Sequence, residues 1–210
     1  MITQAKIKVC GMRDAENIRE VEALGIDMMG FIFYPKSSRY VSDRPAYLPQ
    51  KCKRVGVFVD ATGDAIRQHI TNYSLDIIQL HGHESPDYCQ QLREWEIIKA
   101  FNIATPSDLE STKPVEGIAD YFLFDTKGKS VGGNGEKFDW NVLNHYNGDT
   151  PFLLSGGIGP DDAERIKALF ALDGFPIDKC IGIDLNSGIE TAPAMKDTAL
   201  HRSFLSQLTQ

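Results

Sequence analysis

The sequence lacks the features of a secreted, membrane-spanning or redox-active protein. Its four cysteines are scattered and form no C-x-x-C pair, which argues against a zinc ribbon or a thioredoxin-like site. No apolar run approaches the length of a membrane span, and residues 1–8 are too short and too polar for a signal peptide. We therefore expect a cytoplasmic protein whose thiols are free. These thiols are Cys10, Cys52, Cys89 and Cys180.

The chain also lacks an excess of positive charge. Of its 210 residues, 22 are lysine or arginine and 29 are aspartate or glutamate, which gives a formal net charge of −7 at pH 7. Such a surface repels nucleic-acid phosphates and acidic lipids, so we expect neither a nucleic-acid nor a membrane partner. A small anionic ligand is still compatible, because the groups around a pocket set its local potential.

Two glycine-containing segments imitate nucleotide-binding motifs, but each lacks an essential glycine. The GKS of residues 128–130 would end a P-loop only if Leu123 were a glycine. The GIG of residues 157–159 begins a dinucleotide fingerprint, in which Asp162 occupies the place of the third glycine. No nucleotide cofactor is therefore expected. No metal is expected either, since no full set of metal ligands stands out.

Short apolar runs alternate along the chain with polar, helix-compatible stretches. The runs are nearly continuous in apolar residues, which is typical of parallel strands covered on both faces. The predicted strands are 6–10, 28–33, 54–59, 76–80, 96–101, 120–124, 151–154 and 179–184. The predicted helices are 15–24, 65–72, 86–93, 106–111, 160–172 and 195–208, with 43–49 and 139–146 as weaker candidates.

Strict alternation of strand and helix leaves two main architectures, the closed barrel and the doubly wound open sheet. About eight units of roughly 26 residues suit a compact barrel with short connections. We therefore predict an α/β protein, a (β/α)8 TIM barrel, as a single domain over residues 1–210. Asp14 and Ser85 precede two of the predicted helices as candidate N-caps.

In a barrel the active site lies at the carboxyl ends of the strands, so the residues that end each apolar run are the candidates. Cys10 ends the first run, and a thiolate can act as a base, although a lone cysteine is more often a small buried apolar residue. Arg39 follows the second run, and its planar guanidinium suits a carboxylate, with a solvated loop charge as an equal alternative. His81 and His83 follow the fourth run, where a hydrogen-bonding histidine is favoured over half of a metal site.

Asp125 directly follows the sixth run, at the edge of an apolar cavity. An acid in this position can act as a proton donor, while a helix or turn cap is the alternative. The loop 126–137 that follows contains four glycines, so it can either close over a ligand or serve as a plain connection.

The last two runs end in glycine turns, which let backbone N–H groups approach an oxyanion closely. Turns after strands seven and eight form the phosphate site that is frequent in TIM barrels. We therefore predict a small phosphorylated substrate at this place, with plain tight turns as the alternative. The residues concerned are Ser155, Gly156, Gly157, Asp184, Asn186, Ser187 and Gly188.

Taken together, these residues indicate a barrel that binds a phosphorylated anion and transfers protons, as in an isomerisation. Several segments in order along the chain also resemble the phosphoribosylanthranilate isomerase family. These segments are 8–12 (KVCGM), 30–40 (GFIFYPKSSRY), 55–59 (VGVFV), 79–82 (QLHG), 132–135 (GGNG) with 138–140 (FDW), 155–158 (SGGI) and 184–190 (DLNSGIE).

The resemblance implies an Amadori rearrangement in tryptophan biosynthesis, without cofactor or metal. N-(5′-phosphoribosyl)anthranilate would become 1-(2-carboxyphenylamino)-1-deoxyribulose 5-phosphate. Asp125 would be the general acid that opens the sugar ring, Cys10 the general base, and Arg39 the partner of the anthranilate carboxylate. The other substrate-binding residues expected are His81, Asp184, Ser155, Gly156, Gly157, Asn186, Ser187 and Gly188.

Two alternatives stay open at this point. A metal-dependent pentose-phosphate epimerase would share the barrel and the phosphate site, but it would need a metal held by His81 and partners. A non-catalytic barrel that binds a sugar phosphate would keep its role in the variants Cys10→Ala and Asp125→Ala. Monomer and homodimer are both compatible with the sequence.

Overall fold

The computed structural model describes residues 5–126 and 139–209, with the side chain of Thr126 excepted. The loop predicted after strand six therefore lies almost wholly outside the described residues. Eight parallel strands close into a barrel in sequence order, and the last pairs with the first. The strands are β1 Lys6–Val9, β2 Met28–Ile32, β3 Lys53–Phe58, β4 Ile77–Leu80, β5 Glu96–Ile103, β6 Tyr121–Thr126, β7 Phe152–Leu154 and β8 Cys180–Leu185.

Helices and short 3-10 segments connect the strands. The α-helices are α1 Ala15–Glu22, α2 Gly63–Tyr73, α3 Pro86–Gln91, α4 Ala163–Phe170 and α5 Thr198–Thr209. The 3-10 segments are Pro106–Val115, Trp140–His145 and Ser187–Ile189, and a small antiparallel hairpin is formed by β9 Glu190–Ala192 and β10 Met195–Lys196. Within the described part of the chain, no helix has both the length and the apolar character needed to cross a membrane.

The predicted barrel and all eight predicted strands are confirmed, with bounds that differ by one or two residues. Two helix starts are confirmed as well: the Asp14 side chain accepts from Asn17 N–H at 2.9 Å, and Ser85 caps α3 by accepting from Tyr88 N–H at 3.2 Å. These side chains satisfy backbone donors that the first helical turn leaves unpaired.

Several helix predictions need correction. The helix predicted over 195–208 begins only at Thr198, because Met195–Lys196 form β10. The helix predicted from residue 160 begins at Ala163, because the Asp162 carboxylate accepts from Gly159 N–H at 2.9 Å and closes a turn first. The helix predicted over 106–111 is a 3-10 segment, in which Thr112 Oγ1 bonds back to the Leu109 carbonyl and Pro114 lacks a donor. Residues 43–49, which contain two prolines, form no helix, and 139–146 holds only a 3-10 segment.

Both faces of the strands are buried, as the continuous apolar runs indicated. The larger apolar cluster includes Phe31, Phe122 and Leu154, and it lies between the strands and the surrounding helices. Residues that alternate with these along the strands form a separate, smaller cluster, which fills the inside of the barrel. Its members are Met28, Val55, Ile77, Ile98, Ala100, Leu123 and Leu153.

A carboxylate contact between neighbouring strands is repeated at the amino end of the barrel. An aspartate directly before β2, β4 and β6 accepts a hydrogen bond from a backbone N–H of the preceding strand. The acceptor–donor pairs are Asp27 with Ile7 at 2.7 Å, Asp76 with Arg54 at 2.7 Å, and Asp120 with Ile97 at 2.8 Å. Each contact satisfies a strand-end donor that has no ladder partner at that position.

We expect Asp120→Ala to lower the free energy of unfolding by about 1–2 kcal/mol, because it leaves the Ile97 N–H without its charged acceptor. Urea denaturation at neutral pH measures the difference. The matched control is Asp149→Ala, which removes a 99% exposed carboxylate paired with Lys179 and should leave the free energy of unfolding nearly unchanged. Equal losses in the two variants would contradict a specific role for the strand-end contact.

Candidate active site

A cavity of about 130 Å³ opens at the carboxyl ends of the strands and brings together most of the predicted site residues. Both predicted catalytic residues line this cavity, as do seven of the nine predicted binding residues. Arg39 and Gly156 are not among its lining residues. The predicted residues on the lining are Cys10, His81, Asp125, Ser155, Gly157, Asp184, Asn186, Ser187 and Gly188, and they are joined by Ile32, Val57, Gln79 and Ile158.

Cys10 follows β1 directly and is almost fully buried. Its N–H donates to the Leu185 carbonyl at 2.8 Å, which continues the β1–β8 pairing to the rim of the barrel. The neighbouring Gly30 makes room for the thiol, because a Cβ at that position would lie 2.7 Å from the Cys10 sulfur. Gly30 on β2 is therefore required by Cys10, which follows β1.

A buried ion pair lies beneath the thiol and was not predicted. Lys8 on β1 and Asp184 on β8 face each other in the parallel register, and Lys8 Nζ donates to Asp184 Oδ1 at 2.8 Å. Burial works to lower the pKa of Lys8, but the charge and hydrogen bond of Asp184 outweigh it and raise that pKa. Lys8 is thus a buried cation, and the signal for it was a lysine between the apolar residues Ile7 and Val9 of β1.

The charges around Cys10 act on its thiol in opposite directions. Burial raises the pKa of Cys10 above its ordinary value of 9.0. The ammonium groups of Lys8 and Lys196 offset part of this effect, while the Asp184 carboxylate adds to it. In the free protein at neutral pH, Cys10 is therefore predominantly the protonated thiol.

Asp125, near the end of β6, lies beside His81. Their side chains are 30% and 27% exposed, and His81 Nε2 is 3.6 Å from Asp125 Oδ2. The other ring nitrogen, Nδ1, is 3.0 Å from Nε2 of the buried Gln79. A chain of three polar side chains thus runs from β4 to β6 along one wall of the cavity.

His81 and His83 do not lie together, as half of a metal site would require. Strand β4 ends at Leu80, and the His83 side chain is 98% exposed, 3.6 Å from Asp60 and away from the cavity. Among the described residues, no group of three potential metal-ligating side chains gathers at one place. His81 therefore has protein partners here rather than the companions that a metal site requires.

The loop that carries His81 is anchored by a second buried ion pair. Lys99 Nζ lies 3.0 Å from Glu84 Oε2, and both side chains are almost fully buried. Glu84 in turn accepts from the N–H groups of Asp60 at 3.0 Å and Gly82 at 3.1 Å. This network ties the residues that follow β3 and β4 to the middle of β5 and fixes the backbone next to His81.

Arg39 lies at the rim and already has a carboxylate partner. Its Nε is 2.9 Å from Glu190 Oε1 and its Nη2 is 2.6 Å from Oε2, a bidentate pair. Lys196 Nζ reaches the same carboxylate at 2.5 Å and also donates to the Asn186 side chain at 3.0 Å. Gly11 leaves room for the Arg39 side chain, since a Cβ at position 11 would lie 2.6 Å from Arg39 Cδ.

Burial acts to raise the pKa of Glu190, but its hydrogen bonds from Arg39 and Lys196 prevail and lower that pKa below 4.5. The Glu190 side chain is 5% exposed, so this three-charge cluster is held out of water. Sequence reasoning missed Glu190 and Lys196 as site residues. The available signal was that Glu190 and Lys196, two charged residues, follow closely after the glycine turn at Gly188.

The glycine turns after β7 and β8 are in direct backbone contact. A Cβ at Gly188 would lie 2.0 Å from the Ile158 carbonyl oxygen, so only glycine fits there. Gly156 and Gly157 have φ angles of +94° and +67°, which side-chain-bearing residues rarely adopt. Trp140 Nε1 donates to the Ser155 carbonyl at 3.2 Å and supports the first turn from outside.

These features define the protein as a TIM barrel whose polar cavity, with a thiol, a carboxyl group and two abutting glycine turns, lies at the carboxyl ends of the strands. The family model described as N-(5′-phosphoribosyl)anthranilate (PRA) isomerase matches residues 7–207. The chain belongs to this family, as its sequence segments indicated.

Individual relatives agree with this assignment. An N-(5′-phosphoribosyl)anthranilate isomerase from Phocaeicola vulgatus is 51% identical over 206 residues, covering 97% of this chain and 98% of the relative. The crystal structure of phosphoribosyl anthranilate isomerase from Thermotoga maritima superposes with a TM-score of 0.80 at 28% identity, covering 98% of both chains. A phosphoribosyl anthranilate isomerase in complex with reduced 1-(o-carboxyphenylamino)-1-deoxyribulose 5-phosphate has a TM-score of 0.77 at 26% identity, again covering 98% of both chains.

We expect Glu190→Gln to lower the free energy of unfolding at pH 7 by about 2–3 kcal/mol, because it leaves two cations without their shared carboxylate. Since the pKa of Glu190 is lowered on folding, its contribution is present above pH 4.5 and is lost as the pH falls through the lowered value. Urea denaturation of both proteins at pH 7 and near pH 3.5 should therefore show the difference shrinking in acid.

The control for this prediction is Glu16→Gln, which changes a 79% exposed carboxylate paired with Arg19 on the surface. It should have little effect at either pH. A Glu190→Gln difference that stays constant from pH 7 to pH 3.5 would show that the loss has a cause other than the carboxylate charge.

Proposed function

We propose that this protein catalyses the Amadori rearrangement of N-(5′-phosphoribosyl)anthranilate to 1-(2-carboxyphenylamino)-1-deoxyribulose 5-phosphate. The observation that supports this most strongly is that Cys10 and Asp125 line one cavity together with the glycine turns after β7 and β8. The reaction needs an acid, a base and an anchor for the phosphate, and this cavity offers a group for each.

Asp125 acts first, as the general acid. Its carboxyl group protonates the furanose ring oxygen, and the C1′–O bond breaks to give an open-chain iminium ion. The carboxyl group lies where β6 ends, so it reaches the cavity while staying 30% exposed, and solvent can return its proton after turnover.

Cys10 then acts as the general base. The thiol gives its proton to solvent in the cavity as the iminium ion forms, and the resulting thiolate removes the proton from C2′. The electron pair of the broken C2′–H bond moves into the C1′–C2′ bond, and the iminium nitrogen becomes the neutral amine of an enolamine. Tautomerisation of the enolamine gives the ketone product. Burial disfavours the thiolate, whereas Lys8 below it and the positive iminium ion beside it favour its formation.

Two anchors hold the substrate at its ends. The backbone of the turns at Gly156, Gly157, Ser187 and Gly188 holds the phosphate, with Ser155 and Asn186 beside it, because glycine lets N–H groups approach phosphate oxygens closely. Arg39 holds the anthranilate carboxylate. In the free protein its Nε and Nη2 engage Glu190 and its Nη1 donates to Ser38 Oγ at 3.4 Å, so Nη1 is the group whose contact a ligand carboxylate can most easily replace. Asp184 and His81 contact the sugar.

The experiment that tests the function is a fluorescence assay with phosphoribosylanthranilate generated in situ and a chelator present. Rapid, protein-dependent loss of the anthranilate fluorescence is expected. No loss of fluorescence, together with epimerisation of a pentose phosphate that the chelator abolishes, would instead favour the metal-dependent epimerase. A folded protein that binds the reduced product analogue but consumes no substrate would be a binding protein and would exclude the proposed function.

Cys10→Ala and Asp125→Ala are each expected to lower kcat by about 10²–10⁴-fold, because positioned acid–base groups typically contribute that much. Steady-state kinetics with the same assay measure the effect. The controls are Cys52→Ala, which removes a half-buried thiol at the opposite end of the barrel, and Asp161→Ala on the surface. Near-normal turnover in either site variant would remove that residue from the mechanism.

Arg39→Ala is expected to raise KM by about tenfold or more with a smaller change in kcat, because it removes an electrostatic contact to a non-reacting part of the substrate. Arg13→Ala is the matched control, since Arg13 contacts the carbonyl oxygens of Ser38 and Tyr40 in the loop that carries Arg39. An unchanged KM in Arg39→Ala would contradict its role in carboxylate binding.

A further inference from the structure

Gln79 lines the cavity but takes no part in the proposed catalytic steps. It lies on β4 inside the barrel, and its side chain is 1% exposed. One end of its amide, Nε2, is 3.0 Å from His81 Nδ1. The other end, Oε1, is buried and has no hydrogen-bond partner among the described residues. A buried polar atom without a partner is unusual in a folded protein and calls for an explanation.

The contact between Gln79 and His81 determines where the imidazole carries its proton. An amide N–H group can only donate, so Nδ1 must supply a lone pair. A neutral imidazole that accepts at Nδ1 carries its hydrogen on Nε2. This Nε2 is the atom that lies 3.6 Å from Asp125 Oδ2, so its N–H group is directed at the proposed general acid.

Backbone contacts fix the position of His81. His81 N–H donates to the Phe58 carbonyl at 2.8 Å, and the next residue, Gly82, is packed so closely that a Cβ there would lie 2.4 Å from Asp60 Oδ1. The Lys99–Glu84 ion pair fixes the same loop. With the backbone held, the tautomer of the ring depends on the side chain that meets Nδ1.

The unpartnered Oε1 of Gln79 is suited to a ligand. Gln79 is a lining residue of the cavity, and its buried Oε1 is a free acceptor among the described residues, while a bound sugar brings hydroxyl groups, which are donors. A hydrogen bond from such a hydroxyl would satisfy Oε1 and leave the Nε2 contact with His81 intact. The two ends of one amide would then connect the bound sugar to the histidine beside Asp125.

We propose that Gln79 is a positioning residue for the isomerase reaction. Its Nε2 holds His81 in the tautomer with hydrogen on Nε2, which orients the Asp125 carboxyl group, and its Oε1 accepts a hydrogen bond from a hydroxyl of the substrate. This inference rests on the proposed function in so far as Asp125 is the general acid. It does not assign Gln79 any bond-making or bond-breaking step.

The first test is ¹⁵N NMR of the histidine side chains in the free wild-type protein at neutral pH, with His81→Asn used to assign the His81 signals. Nδ1 is expected to give the signal of an unprotonated ring nitrogen and Nε2 that of a protonated one. In Gln79→Glu, the carboxylate can only accept, so Nδ1 is expected to become protonated. Gln90→Glu, at an exposed position on α3, is the matched control and should leave His81 unchanged.

The second test separates turnover from binding. Gln79→Glu should lower kcat by about 10–100-fold, as does the loss of a side chain that orients a functional histidine, while an acceptor oxygen still faces the ligand. Gln79→Met should lower kcat similarly and also weaken binding of the reduced product analogue by about tenfold, because it removes the acceptor. Both variants should keep the wild-type circular dichroism spectrum, since methionine and glutamate match the glutamine in length.

A protonated Nδ1 in the wild-type protein, or an unchanged His81 signal in Gln79→Glu, would overturn the inference. So would wild-type kcat in both variants. The NMR measurement needs no substrate, so its outcome is independent of the proposed function. A wild-type protein that shows the expected tautomer but does not consume phosphoribosylanthranilate would refute the proposed function and leave the Gln79–His81 arrangement standing.

Discussion

The ion pair between Lys8 and Asp184 is the contact on which the rest of the site depends. It joins the first strand to the last, at the seam where the barrel closes, and it is almost completely buried. A buried ion pair costs desolvation energy, and breaking it leaves a single buried charge, so both partners must be kept together. The same contact therefore joins the two strands at the closure of the barrel and places a cation near Cys10.

The same arrangement explains why the two proposed catalytic residues differ so much in environment. Cys10 is almost fully buried among fixed charges, whereas Asp125 is partly exposed near the mouth of the cavity. A base that must lose a proton only after the substrate has become cationic benefits from being kept out of water until then. An acid that must be recharged in every cycle benefits from access to solvent. The position of each residue in the barrel suits its proposed task.

The sequence predicted the barrel well because each strand is a continuous apolar run and each run is separated by a helix-compatible stretch. It also placed Cys10 and Asp125 at the end of the barrel where the cavity opens, because both directly follow such runs. It missed Lys8, Gln79 and Lys99, which lie within the strands and are buried by pairing that no local pattern reveals. The geometry of Arg39 with Glu190 was equally hidden, since the two residues are 151 positions apart.

The contact between the glycine turns after β7 and β8 has a consequence for ligand binding. Gly188 packs against the Ile158 carbonyl so closely that the two turns behave as a single piece of backbone. A receptor built this way is preorganised: the N–H groups that would surround a phosphate are already in place, and little conformational entropy is lost when the anion arrives. Affinity for the phosphate end of a ligand should then depend little on which side chain occupies the adjoining position 186. Any side chain at position 188 would instead separate the two turns and displace the N–H groups that would surround the phosphate.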